Sequence, residues 1–149
     1  MNQNEMQLLA ALRKDARTSL LALSKELNMP ASTVHDKVRR YNGSIVLKHT
    51  SLLDFKKLGF ERACLAVRTT PSGRQRVQEY LSKHPKLNNL HKVDSGFDFL
   101  AEIVANDQKD VEDFISALKL VMGVLEIQKF TIIEDLKREE FGFYQHDIK

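Results

Sequence analysis

A lone cysteine, Cys64, gives this chain no internal disulfide framework. Such sparing use of thiols fits a reducing compartment, so the cytoplasm is the expected location. No apolar run approaches the roughly 20 residues of a membrane-spanning helix, and no membrane partner is expected. The opening MNQNEMQLL has no basic stretch followed by an apolar one, which predicts no secretion signal. His35, His49, His84, His91 and His146 are scattered, with no HxxxH or HExxH pair and no second thiol, so no metal site is expected. A P-loop, GxGxxG and GxSxG are all missing. The chain is therefore read as a non-enzyme without cofactors. The carboxylate pairs Glu112–Asp113 and Glu139–Glu140 read as solvated faces.

What is present suits one compact domain or two small ones: 149 residues, 42% hydrophobic and 29% charged, with apolar residues along the whole length. The net charge of +3 is unevenly spread. Residues 1–60 hold 10 Lys and Arg against 5 Asp and Glu, while residues 61–149 hold 13 against 15. That is the pattern of a nucleic-acid-binding module followed by a nearly neutral partner domain. A chance asymmetry of a solvated surface would look the same from charge alone.

Three short helical patterns open the chain. In NEMQLLAALRKDA, Leu8, Leu9 and Leu12 share one face. In TSLLALSKEL, Thr18 or Ser19 can cap a helix that turns Leu20, Leu23 and Leu27 inward. Asn28 and Met29 make a short turn, and Pro30 suits the first position of a third helix. There Ala31, Val34, Val38 and Tyr41 form one buried stripe, and Gly43 suits a left-handed C-cap. Helices this short are unstable alone, so the three must share a core, as in a helix-turn-helix. SIVLKHTSLLDF then reads as short extended segments, a wing.

With that stripe inward, the third helix turns Ser32, Thr33, His35, Asp36, Lys37, Arg39 and Arg40 to solvent. Hydroxyls at its start can meet base edges in a major groove, and His35 can reach an acceptor such as guanine N7. Lys37, Arg39 and Arg40 would neutralise phosphates, and Asp36 could hold Arg40 at i+4. Polar residues on the outside of any amphipathic helix would give a similar pattern, with bases at its C-terminal end favoured by the helix dipole. The tri-helical context and the charge bias favour DNA.

The second half alternates strand and helix signals. RACLAVRTT sets Ala63, Leu65 and Val67 against Cys64, Ala66 and Arg68, a strand. PSGRQRVQEYLSKH places Val77, Tyr80 and Leu81 on one helical face. LNNLHKVDSGFDFLAEIVAND reads as two strands turning at Asp94–Gly96. QKDVEDFISALKLVM carries Val111, Phe114, Ile115, Leu118 and Met122 at helical spacing, Gly123 stops it, and VLEIQKFTIIE is a last strand. The order βαββαβ is that of a ferredoxin-like unit, giving an α+β chain. An antiparallel sheet with both helices on one face leaves the other free, and apolar residues there would favour a second copy.

Taken together, LLAALRKDARTSLLALSKELNMPASTVHDKVRRY, LLDFKKLGF, VDSGFDFLAEIVAND and MGVLEIQKFTIIEDLK resemble, in order, the segments of the Lrp/AsnC (feast/famine) transcription regulators. The resemblance covers about residues 1 to 138 and includes the L-x-x-D-x-R stretch at Leu12, Asp15 and Arg17. It implies a winged helix-turn-helix at 1–50, a linker at 51–60, a ferredoxin-like effector-binding and oligomerisation domain of RAM type at 61–136, and a tail at 137–149. It also implies homodimers, octamers or other higher oligomers, double-stranded DNA read as paired half-sites, and an amino-acid effector. The effector loop of the family maps to Gly96, Phe97 and Asp98, with Ser95 where the family's glycine is usual. Pro30 stands at the usual serine cap, and YNGSIV is one residue shorter than the family's helix-to-wing junction.

Two alternatives share this plan. One is a siroheme-type tetrapyrrole decarboxylase subunit, for which His91 and Lys92 would line a cleft for a propionate-rich substrate. The other is a ligand-free DNA-architectural member. The tail REEFGFYQHDIK either docks on a neighbour or is disordered.

Overall fold

The computed structural model describes residues 2–94 and 96–142. Ser95, beside the expected effector loop, and tail residues 143–149 lie outside the described residues. The described residues divide into two units. One gathers the chain up to Leu52 with the segment from Lys137, and the other spans Leu53–Leu136.

The first unit is built on α1 (Gln3–Lys14), α2 (Leu20–Glu26) and α3 (Ala31–Tyr41). Local chemistry sets their ends. Asn2 caps α1 in a reciprocal capping box with Glu5. Ser19 caps α2 by accepting from the Ala22 N–H at 3.1 Å. Asn28, with φ +49°, and Met29 turn the chain, and the Ser24 hydroxyl holds the turn by donating to the Met29 carbonyl at 2.5 Å. Pro30 occupies the N-cap of α3, where its missing N–H costs nothing. Gly43 follows the helix at φ +77°, as a left-handed position requires.

Leu8, Leu9, Leu12, Leu23, Met29, Val34 and Tyr41 make the core of this unit. Two residues differ from the periodicity. Ala31 is exposed, and Leu20 is 38% exposed. Each opens its helix, where no facing turn lies beyond it to cover the side chain. The expected wing is reduced to a single bridge between Asn42 and Val46, and residues 47–54 have no strand. A strand needs a neighbour for its backbone donors and acceptors, and none of the described residues supplies one there. Of the tail, Arg13 on α1 donates to the Phe141 carbonyl at 2.7 Å and pairs with Glu139 at 3.1 Å.

The second unit runs β1 (Glu61–Thr69), α4 (Arg74–Lys83), β2 (Leu87–Lys92), β3 (Phe99–Ala105), α5 (Gln108–Lys119) and β4 (Val124–Thr131). The sheet order is β2-β3-β1-β4, every neighbouring pair antiparallel. Alternation decides its faces. Ala63, Leu65 and Val67 of β1 and Phe99, Ala101 and Ile103 of β3 meet Val77 and Leu81 of α4 and Val111, Phe114, Ile115 and Leu118 of α5 in one core. Met122, expected on the α5 face, lies past the helix end and is exposed.

On the opposite face Cys64 pairs in register with Phe130, which is exposed. Arg62 bridges Glu102 at 2.8 Å beside them, and Asn88 and Asn89 donate to the same carboxylate. Burial, and then the Glu102 charge, push the Cys64 thiol up, which keeps it an unreactive thiol. Among the described residues no helix is long and apolar enough to cross a membrane.

Candidate functional site

The polar side of α3 is divided by what the rest of the first unit does to it. Ser32, His35, Asp36 and Arg39 are exposed, and Thr33 is half-buried. Arg39 has no partner among the described residues. His35 Nδ1 lies 3.4 Å from Asp36 Oδ1, an exposed contact between neighbours. The expected Asp36–Arg40 pair is not formed: Arg40 Nη2 instead donates to Glu5 Oε1 at 3.0 Å. Arg40 also stacks over the Tyr41 ring, 5.3 Å from its centroid.

Lys37 departs furthest from the sequence reading. Its side chain is only 18% exposed, and Nζ donates to the same Glu5 oxygen at 3.0 Å. Glu5 is itself 16% exposed, and its other oxygen accepts from the Asn2 backbone N–H at 3.0 Å. These donors hold its carboxyl at about 2: the Asn2 N–H contributes most, then Lys37 and Tyr41. Glu5 was invisible to sequence reasoning as part of this site, because a capping-box glutamate already has a sufficient local role.

A second site lies in the sheet unit. Gly96, Phe97 and Asp98 line a cavity of about 450 Å³ with Arg68, Thr69, Arg74, Val93 and Asp94. Asp98 in this lining is fully engaged. Oδ2 accepts from the Thr69 N–H at 2.7 Å and from its hydroxyl at 2.9 Å, and Oδ1 pairs with Arg74 at 2.6 Å. Burial pulls its carboxyl upward, but Thr69 and Arg74 outweigh this and leave it below the usual range. Arg68 meets Glu126 at 2.5 Å, so both arginines of the cavity are charge-balanced.

Removing the Asp98 carboxylate leaves the buried Thr69 N–H and hydroxyl without an acceptor. We expect Asp98→Ala to cost about 1–3 kcal/mol in urea unfolding. The folded-state value is lowered, so the stabilisation is full at neutral pH and is lost as pH falls below the ordinary carboxylate range. Asp98→Asn should flatten that acid limb; an unchanged limb would show that the ion pair contributes nothing.

The cleft expected of the decarboxylase alternative is not formed. His91 registers opposite Leu100 and Lys92 opposite Phe99, so the two point to opposite faces of the sheet and line no common cleft. Among the described residues no three His, Cys, Asp or Glu side chains cluster as metal ligands.

The Lrp/AsnC ligand binding domain matches residues 62–140, and the AsnC-type helix-turn-helix domain matches residues 5–41. An uncharacterised HTH-type transcriptional regulator of Pyrococcus furiosus is 28% identical over 145 residues, 93% of this chain and 97% of its own. The transcriptional regulator AzlB of Bacillus subtilis is 28% identical over 120 residues, 77% of this chain and 76% of its own. In fold, a transcriptional regulator of Neisseria meningitidis solved as an L-methionine complex has a TM-score of 0.86 at 16% identity, covering 98% of each chain. These findings lend nothing to the tetrapyrrole decarboxylase alternative. The helix-turn-helix match lies in the first unit and most of the ligand-binding match in the second, and the chain belongs to the Lrp/AsnC family of DNA-binding transcription regulators.

Proposed function

We propose that α3 is the recognition helix of a sequence-specific regulator that works as a homodimer in the cytoplasm. Ser32, Thr33 and His35 read base edges in the major groove, and Arg39 with Arg40 neutralise phosphates. The observation that carries this reading is the split of α3. Val34 and Tyr41 are buried in the three-helix core, while Ser32 and Arg39 stand free on the other side. A second copy covers the open face of the sheet around Cys64 and Phe130, so that a dimer carries two recognition helices, and octamers or other higher oligomers build on that dimer.

The cavity at Gly96, Phe97 and Asp98 takes an amino acid or a related small molecule. Its lining supports this: Arg68 and Arg74 can meet a carboxylate, Asp94 an ammonium group, and Phe97 and Val93 an apolar side chain. Asp98 acts there through Arg74, which it orients, since both its oxygens already have partners. The Neisseria regulator solved with L-methionine supports the same ligand class.

Selection of duplexes from a random pool, with and without each amino acid, tests both halves. A defined motif is expected, and its recovery should change with one or a few amino acids. On that motif Ser32→Ala or Thr33→Ala should relax preference at one position by about 1–3 kcal/mol. Arg39→Ala with Arg40→Ala should weaken all duplexes alike. Recovery of no motif would end the sequence-specific reading.

A further inference from the structure

Lys37 sits on the DNA-facing helix yet spends its charge inside the protein. Its Nζ and Arg40 Nη2 converge on one oxygen of Glu5, each at 3.0 Å, while the other oxygen holds the Asn2 N–H at the start of α1. One carboxylate therefore ties the beginning of α1 to the middle and end of α3, residues 32 and 35 apart in sequence. Tyr41 adjoins the group, buried in the core with its hydroxyl 3.5 Å from Arg40 Nη2. Such a pair, shielded from solvent on both partners, is geometrically defined in a way that exposed ion pairs are not.

We infer that Glu5 is the positioning residue of the recognition helix: it sets the rotation of α3 against α1 and withholds Lys37 from the DNA backbone. This rests on α3 being the recognition helix. The cations of the helix then divide by role. Lys37 is internal, Arg39 is free for phosphate, and Arg40 is shared between Glu5 and solvent, with 64% of its side chain exposed. Fixing the helix rotation fixes which base edge Ser32 and Thr33 face. Neutralising Lys37 keeps the unit from gripping unspecific duplex through one more counterion-releasing contact.

The test uses the full chain, a selected duplex and a scrambled one, with dissociation constants measured from about 50 to about 200 mM salt. Each phosphate contact contributes about 0.9 to the slope of log affinity against log salt. Arg39→Ala is expected to lower that slope by about 0.9, and Lys37→Met to leave it unchanged. Glu5→Gln is expected to steepen it by up to about 0.9, as Lys37 is released, and to cut the ratio of selected to scrambled affinity about tenfold. The double variant Glu5→Gln, Lys37→Met loses the steepening, and Glu5→Asp restores the ratio at least in part. Thermal unfolding of each variant separates these effects from simple loss of the helical unit. A Lys37→Met slope lowered as far as that of Arg39→Ala overturns the inference, as does a Glu5→Gln slope and ratio equal to wild type. If Arg39→Ala and Lys37→Met both leave the slope unchanged, α3 itself is misassigned, and the inference falls with the reading beneath it.

Discussion

Leu23→Ala abolishes duplex binding at 37 °C while the sheet unit stays folded. Leu23 is the one fully buried residue of the seven-residue helix α2, and it packs with Leu8, Leu9, Leu12 and Val34 in a core of seven side chains. Truncating a buried leucine costs about 2–5 kcal/mol, from lost transfer energy and the cavity left behind. A domain of ordinary size has about 5–15 kcal/mol in total, and a unit this small sits at the low end. Helix α2 has no other anchor of comparable burial to hold it on the core once Leu23 is truncated. Circular dichroism should show loss of helix without loss of strand, and fluorescence anisotropy should show loss of binding. A variant that keeps the wild-type melting profile would mean that the three helices do not share this core.

Gly123→Ala produces the second large effect, in the other unit. Gly123 has φ +106°, where an L side chain is strained, and an added Cβ would lie 2.5 Å from the Gly73 Cα. The obstacle is backbone and cannot rotate away. The two loops are also pinned together by the Thr70 N–H, which donates to the Gly123 carbonyl at 2.7 Å. Strain of about 1–3 kcal/mol at the backbone adds to about 1–3 kcal/mol of overpacking. Gly73→Ala isolates the second part, since its φ of −91° suits any residue while its Cβ would meet Gly123 more closely still. Gly73 is the N-cap of α4 and Arg74 its first residue, so parting the loops also moves the arginine that holds Asp98. Both variants should lower the urea midpoint of the sheet unit and, on the proposed reading of the cavity, weaken amino-acid binding by calorimetry. Wild-type midpoints would show that the loops part freely.

Much of the fold was legible in the sequence, for a local reason. Leu8, Leu9 and Leu12 repeat at helical spacing and Ala63, Leu65 and Val67 at strand spacing, and each pattern states which face of its own element is apolar. Ser19 and Gly43 act within a turn of where they stand, so their capping roles could be read directly. The resemblance to a family pattern points to Gly96, Phe97 and Asp98, which line one cavity, but not to the partners of Asp98.

The partnerships that the sequence did not show share one property. Glu5 meets Lys37, Thr69 meets Asp98, and Gly73 meets Gly123 across 32, 29 and 50 residues respectively. A periodic pattern names a face but never its partner. Asp36 lost Arg40 to Glu5, whose carboxylate was already fixed by the Asn2 N–H and so needed less ordering to accept it. The sequence by itself determined the helices and the sheet strands, and the apolar side of α3, but not the wing. Only the tertiary structure decided which charges on the polar side of α3 are free and which backbone segments must touch, because both depend on groups that the chain brings together only by folding.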